Sequence, residues 1–301
     1  MRGKKIIAAV FITVLILAVV FGLQEIFMPL PERKGAERHN ANAVGIIYID
    51  GVIAAGDGGF FATGGADRLQ EDLRRARDDN IKALVIRINS PGGSAAASQE
   101  VFQEIERVRE SGKVVVASMA DVAASGGYMI ACAADYIVAN PASITGSIGT
   151  IMDASNMEGL YDLLGIEYDV IKSGSHKDAL NPGRSLTEEE RALFQEMIDD
   201  IHAQFVDLVS RRRSMNRNDV LALADGRIVT GQQALDAGLV DQLGNLYDAI
   251  DIAAEMAEIP GEPQIYPYRT RDFWTRFTYG TSEAGLAQLF PSIERLMFLL
   301  Y

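Results

Sequence analysis

Ile81-Lys-Ala-Leu-Val-Ile-Arg-Ile88 runs directly into Asn89-Ser-Pro-Gly-Gly93. The first stretch is mostly apolar on both alternating faces, as expected for a strand of a parallel sheet covered on both sides. The second is a tight turn rich in glycine. The pattern repeats on either side of this pair. Val44-Gly-Ile-Ile-Tyr-Ile49 and Lys113-Val-Val-Val-Ala-Ser118 read as strands, as do the shorter Tyr136-Ile-Val-Ala139 and Glu167-Tyr-Asp-Val-Ile171. Ala66–Asp79 carries apolar positions at helical spacing, and Val101, Phe102, Ile105 and Val108 do the same within Ser98–Glu110. Helices are also expected after Ser125 and over Met157–Leu164. Thr187-Glu-Glu-Glu190 fits a capping box, and the helix it opens runs to about Arg212. Strands alternating with helices of these lengths imply βαβ units with right-handed crossovers, an α/β fold.

The flanks have a different composition. Arg2, Lys4 and Lys5 precede Ile6–Leu23, a run without a charged residue. At ~1.5 Å rise per residue this run nearly crosses a ~30 Å hydrocarbon layer. The basic residues favour a cytoplasmic amino terminus and a body outside the cytoplasm. A retained transmembrane signal anchor is therefore expected over residues 1–24, in preference to a cleaved signal, because no clear Ala-x-Ala site follows. Residues 25–42, with Pro29, Pro31 and Gly35, read as a stem. At the other end, residues 261–301 close on the apolar run Met297-Phe-Leu-Leu-Tyr301. Packing on the body or a neighbouring subunit is the plain reading of this extension, and transient occupation of a peptide groove is a second.

Composition excludes several function classes. From Gly35 onward 23 Lys+Arg stand against 39 Asp+Glu, which disfavours nucleic-acid binding. Cys132 is the only cysteine, so no internal disulfide forms. Its apolar neighbours make it a small buried residue rather than a nucleophile. His39, His176 and His202 lack the spacing of metal ligands. No G-x-x-x-x-G-K-[ST] is present at the Asn89–Gly93 turn, which argues against nucleotide binding.

Four loops carry residues that suit acyl transfer. Ser125 lies in Val122-Ala-Ala-Ser-Gly-Gly-Tyr128, where small neighbours let a peptide backbone approach and glycines permit a sharp turn. A helix N-cap is the competing explanation of this serine. Backbone N–H groups at Gly93 can face a tetrahedral oxyanion, or simply form a turn. Ser147 in Thr145-Gly-Ser-Ile-Gly149 can hold a base by a hydrogen bond, or mark a strand entry. Ser173-Gly-Ser-His-Lys-Asp178 offers Lys177. A lysine with the reference pKa of ~10.4 is a poor base at neutral pH. An apolar pocket would favour the neutral amine and let it take the serine proton. His176 is the rival base, and Asp178 can orient either.

In order along the chain, Asn89-Ser-Pro-Gly-Gly93, Ala123-Ala-Ser-Gly-Gly-Tyr128, Thr145-Gly-Ser-Ile-Gly149, Ile171-Lys-Ser-Gly-Ser-His-Lys-Asp178, Asp225-Gly-Arg-Ile-Val-Thr-Gly231 and Ala237-Gly-Leu-Val-Asp241 resemble the signal peptide peptidase A family, in its short single-domain form. The resemblance implies a ClpP/crotonase-like fold of repeated ββα units over residues 43–260, preceded by the N-terminal transmembrane helix. It implies Ser125 as nucleophile, Lys177 as general base, Ser147 as the residue that orients the lysine, and the Gly93 N–H as an oxyanion donor, with no metal or cofactor. His176 would be a bystander. The last two motifs would be structural and near assembly surfaces. The implied protein is a serine endopeptidase in the cell membrane, forming a homo-oligomeric ring or bowl outside the cytoplasm and degrading remnant signal peptides and other hydrophobic peptides. Alternatives are a Ser-Lys protease with a specific membrane-protein substrate, a crotonase-like acyl-CoA enzyme, and a non-catalytic scaffold.

Overall fold

Strand β1 (Ala43–Asp50) pairs in parallel with β4 (Ala83–Ser90), and β4 in parallel with β5 (Val114–Ala124). Between β1 and β4 the short strands β2 (Ile53–Ala54) and β3 (Gly64–Gly65) form a separate parallel pair. These strands belong to a computed structural model that describes residues 42–56 and 64–268. The chain divides into compact units Met1–His39 and Asn40–Tyr301, the first outside the described residues. In the second unit, β5 continues the sheet to β6 (Tyr136–Ala139) and β9 (Gln242–Leu243), while β10 (Gln264–Pro267) flanks β1. The order β10-β1-β4-β5-β6-β9 is parallel throughout. Residues 264–267 of the C-terminal extension therefore form an edge strand of the sheet.

The apolar run at 83–88 is explained by two separate cores. Leu84, Ile86 and Ile88 face one layer with α1 (Ala66–Asp78) and α2 (Ala95–Glu110). Ala83 and Val85 face the other, covered by Ala249, Ile250, Ala253 and Ala254 of the helix Leu246–Met256. Alternate residues of one strand point to opposite faces, so burial on both sides removes the polar half of the usual alternation.

Beyond Met119 the sheet changes shape. Ile88 pairs with Met119, but Ser90 pairs with Ala123, so two extra residues of β5 are inserted. A bulge of this kind bends a strand and re-aims the residues beyond it. The Val122 N–H in the bulge donates to the Asn89 side-chain oxygen at 3.3 Å. The redirected end of β5 then pairs with β7 (Ile144–Gly146), which pairs antiparallel with β8 (Ile228–Thr230). The short helix α3 (Gly126–Ala131) comes directly after Ser125, and its C-terminal turn is held by Arg212. The guanidinium donates to the carbonyls of Cys132, Ala133 and Ala134 at 2.8–3.1 Å, groups a helix end otherwise leaves unpaired.

Two sequence expectations are corrected. Glu167–Ile171 forms no strand: it is exposed and pairs with no other segment among the described residues. Its alternation has no sheet edge to join, and a lone strand does not persist in water. The α/β reading holds, but the preceding transmembrane helix does not stand. Residues 1–24 lie outside the described residues, and among the described residues no helix is long and apolar enough to cross a membrane. Membrane localisation is withdrawn with it.

Candidate active site

Three of the four loops meet at the bent end of β5. Ser125 occupies φ 52°, ψ −119°, between the last strand residue and the first helical one. A positive φ at a residue bearing a Cβ costs about 1–3 kcal/mol and persists only where neighbours enforce it. Two neighbours do so. The Ser125 N–H donates to the Gly146 carbonyl at 2.9 Å, and the Met129 N–H donates to the Ser125 carbonyl at 2.9 Å. The hydroxyl itself caps no helical N–H, which argues against the N-cap explanation, and the residue is half-buried.

The Asn89–Gly93 turn packs directly on this serine. A Cβ on Gly92 would lie 2.7 Å from the Gly126 nitrogen and 2.9 Å from the Ser125 Cβ. Gly92 has φ +102° and its N–H donates to the buried Ser90 hydroxyl at 3.1 Å. A Cβ on Gly93 would lie 2.0 Å from the Ile53 carbonyl oxygen. Only glycine satisfies both contacts. The Ile53 N–H donates to the Gly92 carbonyl and the Ser94 N–H to the Ile53 carbonyl, each at 2.8 Å. This alternation passes over the exposed Gly93 N–H, which has no partner among the described residues.

Ser147 sits one residue past the carbonyl that binds the Ser125 N–H, also at positive φ, 51°. Its N–H donates to the Arg227 carbonyl at 2.8 Å, and the Gly226 N–H donates to the Ile148 carbonyl at 3.2 Å. The motif Asp225–Gly231 thus braces the Ser147 turn. Asp241, in the motif Ala237–Asp241, accepts the Ile137 N–H at 2.8 Å and two hydrogen bonds from Arg213. Both motifs have structural work within the chain itself.

The fourth loop stands apart. Lys177 is exposed, and its ammonium makes no hydrogen bond or ion pair among the described residues, to Ser125 or to any other group. The apolar pocket expected around it is not present in the single chain. His176 lies 3.8 Å from Glu189 and 3.9 Å from Glu190, and among the described residues it makes no hydrogen bond to Ser125. Asp178 orients neither base candidate by a side-chain bond, but accepts from Lys172 at 2.7 Å and from Arg184 at 2.8 and 3.1 Å. Those bonds hold its carboxyl well below the usual carboxylate range. Cys132 is buried, as expected, and burial pushes its thiol up to about 12.

Asn89, Gly92 and Arg184 contribute contacts that the sequence reading left unassigned. The first two lie within a turn already singled out. Arg184 carries no local signal, because its partners are Asp178 and Glu190, six residues to either side.

A parallel α/β sheet ending in a strained serine, packed on a glycine turn, places the chain in the class of α/β proteins with a candidate serine site at a strand end. Comparison with known proteins narrows this class. Residues 107–260 match peptidase family S49. A Synechocystis protein described by inference as a protease is 43% identical over 199 residues, 66% of this chain and 72% of that one. Protease 4 of Haemophilus influenzae is 35% identical over 231 residues, 75% of this chain and 37% of its own length. The chloroplastic serine protease SPPA of Arabidopsis thaliana is 38% identical over 222 residues, 72% of this chain and 33% of its own. The chain belongs to peptidase family S49, and it is a serine protease. It spans 37% and 33% of the length of the last two relatives.

The wider picture drawn from the resemblance is corrected here. A membrane-anchored endopeptidase with a bilayer as partner lacks support, since no described helix is long and apolar enough to cross a membrane. The ring or bowl is likewise withdrawn. Both faces of the sheet are covered by the chain's own helices.

Proposed function

We propose that the chain hydrolyses peptide bonds with Ser125 as nucleophile and Lys177 as general base. The observation that carries this reading is the Ser125 turn: a positive-φ serine with an uncommitted hydroxyl, packed on Gly92 and adjacent to the open Gly93 N–H. Ser147 follows the Gly146 carbonyl that accepts the Ser125 N–H, and this reading assigns it the role of orienting the amine. The parallel strand order and the bent end of β5 support a ClpP/crotonase-like peptidase domain over residues 43–260.

The chemistry follows from these groups. Approach of the 172–178 segment to Ser125 brings up the Lys177 amine, which in its unprotonated form takes the Oγ proton as the oxygen attacks the peptide carbonyl. The Gly93 N–H donates to the oxygen of the tetrahedral intermediate, where a positioned donor contributes about 3–4 kcal/mol to lowering the barrier. The C–N bond then breaks, and the lysine ammonium returns the proton to the departing amine. Water attacks the acyl-enzyme, gives its proton to the lysine, and releases the acid as the serine oxygen regains that proton.

The test is hydrolysis of fluorogenic peptides by the full chain and by Ser125→Ala, Lys177→Ala and His176→Ala. Loss with the first two and retention with the third is expected. Loss with His176→Ala but not with Lys177→Ala would overturn the base assignment.

A further inference from the structure

Exposed ion pairs contribute little to structure, because water competes for both partners. The cluster beside Lys177 is different. The side chains of Asp178 and Glu190 are only 9% and 2% exposed. Arg184 lies between them and bonds both. Its Nε and Nη2 donate to Asp178 at 3.1 and 2.8 Å, and its Nη1 and Nη2 donate to Glu190 at 2.8 and 2.6 Å. Glu190 in turn accepts the Thr187 N–H at 2.9 Å, completing the capping box of the helix Glu188–Arg212. One guanidinium therefore ties the residue after Lys177 to the first turn of the longest described helix. A planar guanidinium bonded twice to each of two carboxylates fixes direction as well as distance.

The surrounding segment has little else to hold it. The helix Glu158–Leu164 buries no residue. Ile151, Leu163 and Ile171 are 85%, 82% and 102% exposed. The lysine loop is a series of turns, with the Lys177 N–H donating to Gly174 and the Ala179 N–H to His176, each at a long 3.2 Å. Packing does little to fix this backbone; the ion cluster does so, together with the Lys172 ammonium, which donates to the Ser175 carbonyl at 3.0 Å and to Asp178 at 2.7 Å.

We propose that Arg184 is a positioning residue for the Lys177 base: by holding Asp178 against Glu190 it fixes the backbone from which the lysine reaches Ser125. The proposal rests on the reading of Lys177 as base. Asp178 then serves that base through the main chain, and its side chain leaves the amine free. Misplacement of a catalytic group by about 1 Å lowers turnover by up to about 100-fold.

The test uses the full chain with kcat and KM measured separately on a fluorogenic peptide, alongside thermal unfolding. Arg184→Gln is expected to lose about 10- to 100-fold in kcat, with KM within about twofold of wild type. Added guanidinium should restore part of the loss in Arg184→Gln and none in Lys177→Ala, and Arg184→Lys should fall between wild type and Arg184→Gln. An inactive Lys177→Ala beside a folded Arg184→Gln of wild-type kcat overturns this inference and leaves the base assignment standing. A Lys177→Ala of wild-type kcat overturns both. If Arg184→Gln fails to fold, Asp178→Asn decides, since it keeps the Arg184–Glu190 pair: undiminished kcat there refutes the positioning role.

Discussion

Gly92→Ala separates backbone strain from steric displacement of the nucleophile, because the chain supplies its own control. Gly92 and Gly112 share a similar backbone, at φ +102° and +89°. An alanine at either position pays the left-handed penalty, about 1–2 kcal/mol. Their surroundings differ. Around Gly112 a new Cβ meets nothing within 4 Å. At Gly92 it meets the Gly126 nitrogen at 2.7 Å, the Ser125 Cβ at 2.9 Å and the Ala124 carbonyl at 3.0 Å. Two of these atoms are backbone, so no side-chain rotation relieves the contact. Inserting a carbon into a filled site adds about 1–3 kcal/mol. Gly92→Ala should therefore be less stable than Gly112→Ala by about that amount in urea unfolding. Relief comes by moving the Ser125 turn, so peptide hydrolysis should fall on the order of 100-fold in kcat for Gly92→Ala. Gly112→Ala should retain wild-type activity. Labelling of Ser125 by a fluorophosphonate should slow in parallel. Equal stability and equal activity of the two variants would refute the claim that the glycine turn sets the position of the serine.

The charged and buried groups lead to two further outcomes. Hydrogen bonds from Arg184 hold Glu190 down at about 2, below the usual carboxylate value. A depressed carboxyl stabilises the fold above its unfolded pKa of about 4.3 and loses that contribution as pH falls through the folded value. The 172–190 segment should thus resist pepsin near pH 4 and become cleavable towards about pH 2, and Arg184→Gln should move that transition upward; an unmoved transition would detach the segment's order from the ion cluster. Cys132, with its thiol pushed up to about 12 by burial, should resist thiol reagents in the native protein at pH 8 and react after unfolding in urea; rapid native labelling would contradict the closed core around α3.

Local pattern alone carries much of this protein. The apolar run at 83–88 announces a doubly covered strand, Thr187–Glu190 announces the start of the long helix, and the small-residue run around Ser125 marks the strand-to-helix turn. Each of these follows from residues close in the chain, through side-chain alternation, capping and glycine's backbone freedom. Glu167–Ile171 misled for the same reason: alternation reports that a strand is possible, and only a neighbouring edge makes one. Whatever depends on distant segments meeting was decided by the tertiary structure. The insertion in β5 bridged by Asn89 exists only because β4 lies alongside. Gly92 is required by the position of Ser125, thirty-three residues later. The Asp178–Arg184–Glu190 cluster needs a folded turn to bring its charges together and exclude water. The residues proposed to do the chemistry were visible in the chain, but the contacts that surround them arise between side chains and backbone that only folding makes neighbours.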